Sequence, residues 1–444
     1  SHTNEVVNGI KDLLHEIERK DSLTNETVNG IENQLNNFKN RVPYVVGEKI
    51  RVVFLFQIPS FWPSWDTFVN SCLIDSRIDV KVVLYPEIVG ERSQLLGAEQ
   101  FLLEKGIKYV DYLDFSFEDF KPHVVVIQTP FDEWHRLTYF KSESLSRNGF
   151  RILYIPYGIE IGATNYSKQH QFNTNVINTA WRVFTISNGM KREYHKYSLV
   201  GGENVRVLGH PKFDKYYTRD LDLPQNILNK SGGKKIIVWK IHFPLVLPDD
   251  NGSERLITPN LEEYVRFSRN LCEFSDFFFL VLPHPKIFDK VYLQNPIPQF
   301  AEKLASQVNE IMKNIENTSN AEIYKELDYR PALFTANAMI IDRSAALVEA
   351  GALDVPILYL HNADFNEPLV EAVEPLINSY YQGTGYKDIE QFLFMCREGR
   401  DPQKEQRETT FKQCVPLFDG KAGYRIKEDL VNSLLSEKYP PKNN

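Results

Sequence analysis

The sequence predicts an α/β protein built from two consecutive Rossmann-like αβα domains that face each other across a cleft. Three observations carry this. From Lys49 onward, apolar runs of strand length alternate with stretches of helical periodicity. The runs are mostly continuous rather than alternating, as expected for a parallel sheet covered on both faces. Pro224, Ser231, Gly232 and Gly233 break the series at Leu221 to Gly233, which reads as a linker. The chain has 444 residues, too many for one ordinary core and enough for two or three domains.

Taken in order, Arg51 to Phe56, Val80 to Tyr85, His123 to Gln128, Arg151 to Ile155, Ala180 to Ile186 and Asn204 to Leu208 read as strands. Helical patterns at Trp62 to Cys72, Ala98 to Lys105 and Gly189 to Tyr197 fall between them, completing a βαβ series near residue 215. The second series has strands at Lys235 to Trp239, Phe277 to Leu282, Ala321 to Tyr324, Ala338 to Ile341 and Pro356 to Leu360. Its helices are Leu261 to Phe274, Ile297 to Ile315, Tyr329 to Asn337 and Ser344 to Ala352, with closers at Ile389 to Cys396 and Tyr424 to Leu435. The expected division is a helical extension over 1–45, a first αβα domain over 46–220, a second over 221–415 and a closing helix over 416–444.

The extension carries an internal repeat. Asn4-Glu5-Val6-Val7-Asn8-Gly9-Ile10 returns as Asn25-Glu26-Thr27-Val28-Asn29-Gly30-Ile31, three heptads later. Val7, Ile10, Leu14 and Ile17, matched by Val28, Ile31, Leu35 and Phe38, fall on one helical stripe. A coiled coil would make a homo-oligomer here. The glycines and the polar break near Asp21 favour one or two amphipathic helices lying on the body.

Composition narrows the function. Acidic residues outnumber basic ones, 59 to 51, which argues against a nucleic-acid partner, whose backbone needs a concentrated basic surface. The four cysteines lie far apart and form no CxxC pair, so a reducing, cytoplasmic setting fits and a zinc site does not. No apolar run is long enough to cross a membrane as a helix. No signal-peptide pattern opens the chain, and Ser1-His2 reads as the scar of a cleaved tag. Zincin, nucleophile-elbow, EF-hand, Walker and GxGxxG patterns do not occur.

Chemistry-bearing residues gather where strands end. Strand Ala338 to Ile341 runs into Asp342-Arg343-Ser344 and then a small-residue helix. Ser344 would cap that helix, and first-turn amides, the Ser344 hydroxyl and the Arg343 fork would together hold a phosphate. An ordinary cap on a buried crossover helix is the alternative. Pro283-His284-Pro285-Lys286 follows a second strand, where His284 and Lys286 would neutralise a diphosphate or donate protons. Lys240 and His242 follow a third and, two apart, point the same way. His170 and His195 lie among polar residues and read as surface histidines.

In the first domain, Tyr157-Gly158-Ile159-Glu160-Ile161-Gly162 follows a strand. The glycines let backbone approach a ligand, and Glu160, ionised at neutral pH if unperturbed, is a general-base candidate. A carboxylate paired with a lysine is the structural alternative. Asp132, after the strand His123 to Gln128, is the reserve base, and Phe61, Trp62 and Trp65 form an aromatic loop at the same edge.

These motifs resemble the CDP-glycerol glycerophosphotransferase family of teichoic acid and capsule polymer synthesis, which has the GT-B glycosyltransferase fold. Pro283-His284-Pro285 matches its His-Pro segment, and Asp342-Arg343-Ser344-Ala345 with Leu353-Asp354-Val355-Pro356-Ile357 matches its Asp-Tyr-Ser-Ser and Gly-x-Pro segments loosely. Gly209-His210-Pro211-Lys212-Phe213-Asp214 echoes its Gly-x-Pro-Arg-x-Asp, and Val238-Trp239-Lys240-Ile241-His242-Phe243 its post-linker loop. The likeness covers roughly residues 120 to 360. It departs where the family's Trp-His-Gly meets Pro156-Tyr157-Gly158, because the histidine is absent, and where Arg343 and Ala345 replace the tyrosine and second serine.

The resemblance implies that His284 and Ser344 hold the diphosphate of a CMP-, CDP-, UDP- or GDP-linked donor, with Asp342 shaping the loop and Lys240 or His242 assisting. Glu349 would accept from a ribose hydroxyl or else face solvent. The acceptor, a saccharide, polyol-phosphate polymer or lipid-linked molecule, would enter beside Tyr157, Gly158 and Glu160, and a lipid-linked one would bring peripheral contact with the inner membrane face. Neither a cofactor nor a divalent metal is expected. The expected activity is sugar transfer in bacterial surface polysaccharide synthesis. Its alternatives are CDP-glycerol or CDP-ribitol polyol-phosphate transfer, a two-domain epimerase, and a non-catalytic scaffold.

Overall fold

The structure, a computed structural model, describes residues 49–86, 95–132, 136–287 and 298–438. The N-terminal heptads lie outside the described residues.

The first sheet contains β1 (Ile50–Phe56), β2 (Ile78–Leu84), β3 (Tyr109–Asp111), β4 (Val124–Ile127), β5 (Arg151–Tyr154), β6 (Arg182–Thr185) and β7 (Val205–Val207). Its order is β3-β2-β1-β4-β5-β6-β7, and every neighbouring pair is parallel. The second contains β8 (Lys235–Ile241), a short antiparallel hairpin of β9 (Val246–Pro248) and β10 (Glu254–Leu256) standing apart, then β11 (Phe277–Pro283), β12 (Ala321–Ile323), β13 (Ala338–Ile341), β14 (Ile357–Leu360) and β15 (Tyr381–Gly383). Its order is β12-β11-β8-β13-β14-β15, again parallel throughout. The sequence therefore predicts the architecture, and the strands with continuous apolar runs are the buried ones: β11 is buried at every position. β3, β15 and the hairpin, whose strands are three residues each, escape the sequence reading, although β7 and β12, equally short, do not.

The expected linker is not bare chain. Gln225–Ser231 forms a helix within it, ended by Gly232 in the left-handed region at φ 59°.

One apolar core runs through both domains, joining Val53, Leu55 and Val125 of the first sheet to Val238, Leu280 and Met339 of the second through Phe213, Tyr216 and Leu347. The far face of the first sheet is covered from a distance. Ile426, Leu430, Val431 and Leu434 of the helix Ala422–Lys438 share a core with Phe54, Trp65 and Phe68. That helix begins on Asp214, whose carboxylate accepts from the amides of Ala422 and Gly423 at 2.9 Å each and from the Thr67 hydroxyl at 2.6 Å. A side chain at Gly423 would lie 2.5 Å from the Phe68 backbone nitrogen, so the close approach needs glycine there.

Candidate functional site

Three neighbouring strands of the second sheet, β11, β8 and β13, deliver His284, Lys240 with His242, and Asp342 to one edge. Asp342, fully buried, ties the edge together. Its carboxylate accepts from the His242 amide at 3.0 Å and from the Tyr264 hydroxyl at 3.0 Å, and burial pushes its pKa up to about 7. The His284 amide donates to the Ile241 carbonyl at 2.7 Å, which brings the two imidazoles to 4.7 Å between centroids.

The histidines are held as different tautomers. His242 Nδ1 lies 2.9 Å from the Phe243 carbonyl, which can only accept, so Nδ1 carries the proton and Nε2 presents a lone pair. His284 Nδ1 accepts from the Lys286 amide at 3.2 Å, so its Nε2 is the donor. Burial lowers the His242 pKa to about 3 and that of His284 well below its ordinary value. Both rings are thus neutral at pH 7, and the cationic charge expected of His284 falls instead to Lys240, Lys286 and Arg343. Lys240 is itself lowered by burial, against the pull of Asp342 and Glu349.

Arg343 lies mostly buried, its Nε donating to Glu367 at 2.7 Å. Among the described residues nothing hydrogen-bonds its Nη1 or Nη2. Ser344 Oγ accepts from the Ala346 amide at 3.2 Å. The helix after it is shorter than expected, only Ala346–Ala350, so Ser344 stands one residue before the cap position and the turn, not a long macrodipole, is what faces the crevice.

Glu349 is a correction. It neither faces solvent nor stands free for a ribose: its carboxylate accepts from Lys212 at 2.9 Å, Tyr216 at 2.8 Å and Tyr329 at 2.7 Å, fully buried. Lys212 also donates to the Tyr157 carbonyl at 2.9 Å, so this ion pair fastens the first-domain loop to the second domain.

That loop meets the donor-side turn directly. A side chain at Gly158 would sit 2.8 Å from the Ala345 Cβ. Tyr157 stacks on Phe61 at 4.1 Å, with Phe131 at 6.5 Å, which forms an aromatic wall from three strand-end loops. Glu160 is buried and bonded by the Tyr194 hydroxyl, and burial raises its pKa to about 7. No lysine pairs with it among the described residues, and it is about half protonated at neutral pH, unlike the fully ionised base expected from its ordinary value. Asp132 is a second correction. Buried Arg136 and the Ser142 amide (2.9 Å) and hydroxyl occupy its oxygens, so it is a structural anchor and no longer a reserve base.

Sequence reasoning gave Lys212 no role at the site, although it lies in the quoted Gly209 to Asp214 segment, and passed over Glu367 entirely. The latter lies in a loop after β14 with no motif around it.

No family model matches the chain, and no curated protein does. Solved structures do match, over nearly their full length. S. aureus MnaA with UDP aligns with a TM-score of 0.57 at 16% identity, over 87% of this chain and 97% of that one. A UDP-GlcNAc 2-epimerase from Neisseria meningitidis bound to UDP-GlcNAc gives 0.56 at 16%, over 86% and 100%. The wall teichoic acid polymerase TagF gives 0.56 at 12%, over 91% and 92%. This is the GT-B fold. The Asp342–Ala345 turn of its second sheet and the Tyr157–Glu160 loop of its first meet where the two domains come together. Among the described residues no group of three histidine, cysteine or acidic side chains is arranged to hold a metal ion, and no helix is long and apolar enough to cross a membrane.

Proposed function

We propose that this chain is a nucleotide-sugar-dependent glycosyltransferase of surface polysaccharide synthesis. The observation that carries the reading is the incompletely filled donor edge: the outer nitrogens of Arg343, His284 Nε2–H, the Ser344 hydroxyl and Lys240 stand at neighbouring strand ends, and among the described residues the one carboxylate that ion-pairs with any of them is Glu367, on Arg343 Nε. A diphosphate has the charge and acceptor oxygens to do so, and the leaving charge would be met there without proton transfer. UDP and UDP-GlcNAc, the molecules bound in two of the compared structures, have this chemistry.

On the other wall, Glu160 would take the proton of an acceptor hydroxyl, and the Phe61–Tyr157 stack would bound the acceptor. His242 Nε2, an acceptor rather than a donor, is the second candidate to hold that proton. Closing the walls excludes water, which would otherwise compete as nucleophile. Polyol-phosphate transfer from CDP-glycerol or CDP-ribitol is the second reading, supported by the Pro283-His284-Pro285 segment at this edge.

Calorimetry with UDP-, GDP- and CMP-sugars, CDP-glycerol and CDP-ribitol tests the proposal. Binding of a nucleotide sugar followed by its transfer to an added saccharide supports it. Binding of the CDP-polyols alone selects the second reading, conversion of UDP-GlcNAc without acceptor selects an epimerase, and no binding at millimolar concentration leaves a scaffold.

A further inference from the structure

Glu367 joins the two domains at the point where the donor edge is exposed. It is 3% exposed. One carboxylate oxygen accepts from Arg343 Nε at 2.7 Å. The other accepts from Ser167 Oγ and from Thr164 Oγ1 (3.3 Å), both in the opposite domain. Thr164 in turn caps the helix Asn165–Phe172 through the Ser167 amide. Backbone pairs flank the carboxylate across the same seam: the Ala163 amide donates to the Pro368 carbonyl at 2.7 Å, and the Val370 amide to the Ile161 carbonyl at 3.0 Å. Gly162, bridged to Leu369 between them, leaves the space the ion pair fills, since a side chain there would meet Glu367 Oε1 and lie 2.7 Å from Arg343 Nη2.

A guanidinium is a rigid fork, so fixing Nε fixes where Nη1 and Nη2 point. The anchor that fixes it is only complete when the first domain is docked, because two of its three side-chain partners come from there. Separating the domains would strip both hydroxyls from a buried carboxylate, which would then leave the seam for water and release the fork.

We propose that Glu367 is a positioning residue that couples domain closure to the aim of the Arg343 fork, so that an anionic donor at the Asp342–Ala345 turn and the Gly162–Leu369 seam strengthen each other. The inference rests on the reading of that turn as a diphosphate site. Coupling of this kind is reciprocal: whatever the closed seam adds to anion affinity, the anion adds to closure.

The decisive variant lies in the far domain. Ser167→Ala with Thr164→Val removes both hydroxyls without touching the donor turn. UDP, CDP and pyrophosphate are the probes, read by calorimetry on the full chain, and hydrogen exchange at the Ala163 and Val370 amides reads the seam. The double variant should bind the best probe about 5-fold or more weakly, the lower range of typical coupling. Saturating that probe should slow exchange at both amides in the wild type and fail to do so in Glu367→Gln, an effect that a merely structural carboxylate would not produce. Unchanged affinity in the double variant, with faster exchange, overturns the coupling. If Glu367→Gln melts early, the double variant still decides. Should the wild type bind none of the three probes, the diphosphate reading falls by itself. Exchange then decides the role of Glu367 alone: it must rise in Arg343→Met as in Glu367→Gln, and exchange equal to wild type in Arg343→Met overturns the linkage.

Discussion

The carboxyl edges of the two sheets start from the same local pattern, a buried parallel strand running into a polar loop, and are finished in opposite ways. On the first, the acids are satisfied within the domain: Asp132 by Arg136 and Ser142, Glu160 by Tyr194, with a stacked Phe61–Tyr157 wall between the loops. On the second, donors outnumber partners. Among the described residues Lys240 Nζ hydrogen-bonds only the Leu282 carbonyl, at 3.5 Å, and the outer nitrogens of Arg343 and His284 have no hydrogen-bond partner. A partly buried donor without an acceptor costs stability, so such an edge persists where something else completes it. The contrast separates an edge whose acids are internally satisfied from one that keeps donors free, and it is on this second edge that we propose an anionic donor binds.

The sharpest way to break the contrast is to unsettle the satisfied edge. Asp132→Asn should cost about 3–5 kcal/mol of stability, because it leaves Arg136 buried without its counter-charge. Denaturant unfolding measures this; a shift under 1 kcal/mol by the same measure would return Asp132 to the list of functional acids. Glu160→Gln comes next, with turnover falling about 10²-fold or more while nucleotide affinity holds. In the wild type the rate should rise with pH through about 7, where Glu160 loses its proton, and that limb should vanish in the variant.

Ser344→Ala tests the other edge. Loss of one charge-assisted hydrogen bond should weaken nucleotide binding by about 1.5–3 kcal/mol, whereas stability should fall by about 1 kcal/mol at most for the Ala346 amide bond. Affinity unchanged beside a clear drop in melting temperature would make Ser344 a turn residue only.

Stability against pH gives a smaller effect with a definite sign. Unfolded, Glu160 loses its proton near 4.5; folded, near 7. Between those values the unfolded chain binds fewer protons, so the contribution of this group to stability declines as pH rises, and Asp342 acts the same way from 3.8 to about 7. Melting temperatures between about pH 4.5 and 7 should therefore fall less, or rise more, in Glu160→Gln than in wild type. Least of all, Lys286→Ala should change nucleotide affinity less than about fivefold and lose that effect in high salt, since its ammonium is exposed.

Why some of this was legible in the sequence follows from range. The strands carrying His242, His284 and Asp342 announce themselves by unbroken apolar runs, and a parallel sheet then places their ends side by side whatever follows them. The fates of Glu349 and Glu367 were not legible, because each is decided by residues far away in sequence: Lys212 and Tyr216 for one, Thr164 and Ser167 for the other. A carboxylate seven residues after Asp342 looks the same on paper whether a ribose or a lysine awaits it. Burial likewise set the neutral histidines and the half-protonated Glu160, and burial is a property of the finished fold.

The helix Ala422–Lys438 has a consequence for how the chain comes to exist. It is the last described element made, yet Ile426, Leu430 and Val431 complete a core begun by Phe54 on the first strand, some 370 residues earlier in synthesis by the numbering. A growing chain on the ribosome therefore holds one face of its first sheet incompletely covered until this helix has been made, and that face, apolar and strand-edged, is what a chaperone would have to guard. A chain stopped near residue 415 would then be injured in the first domain rather than the second, and would aggregate through the sheet that was made first.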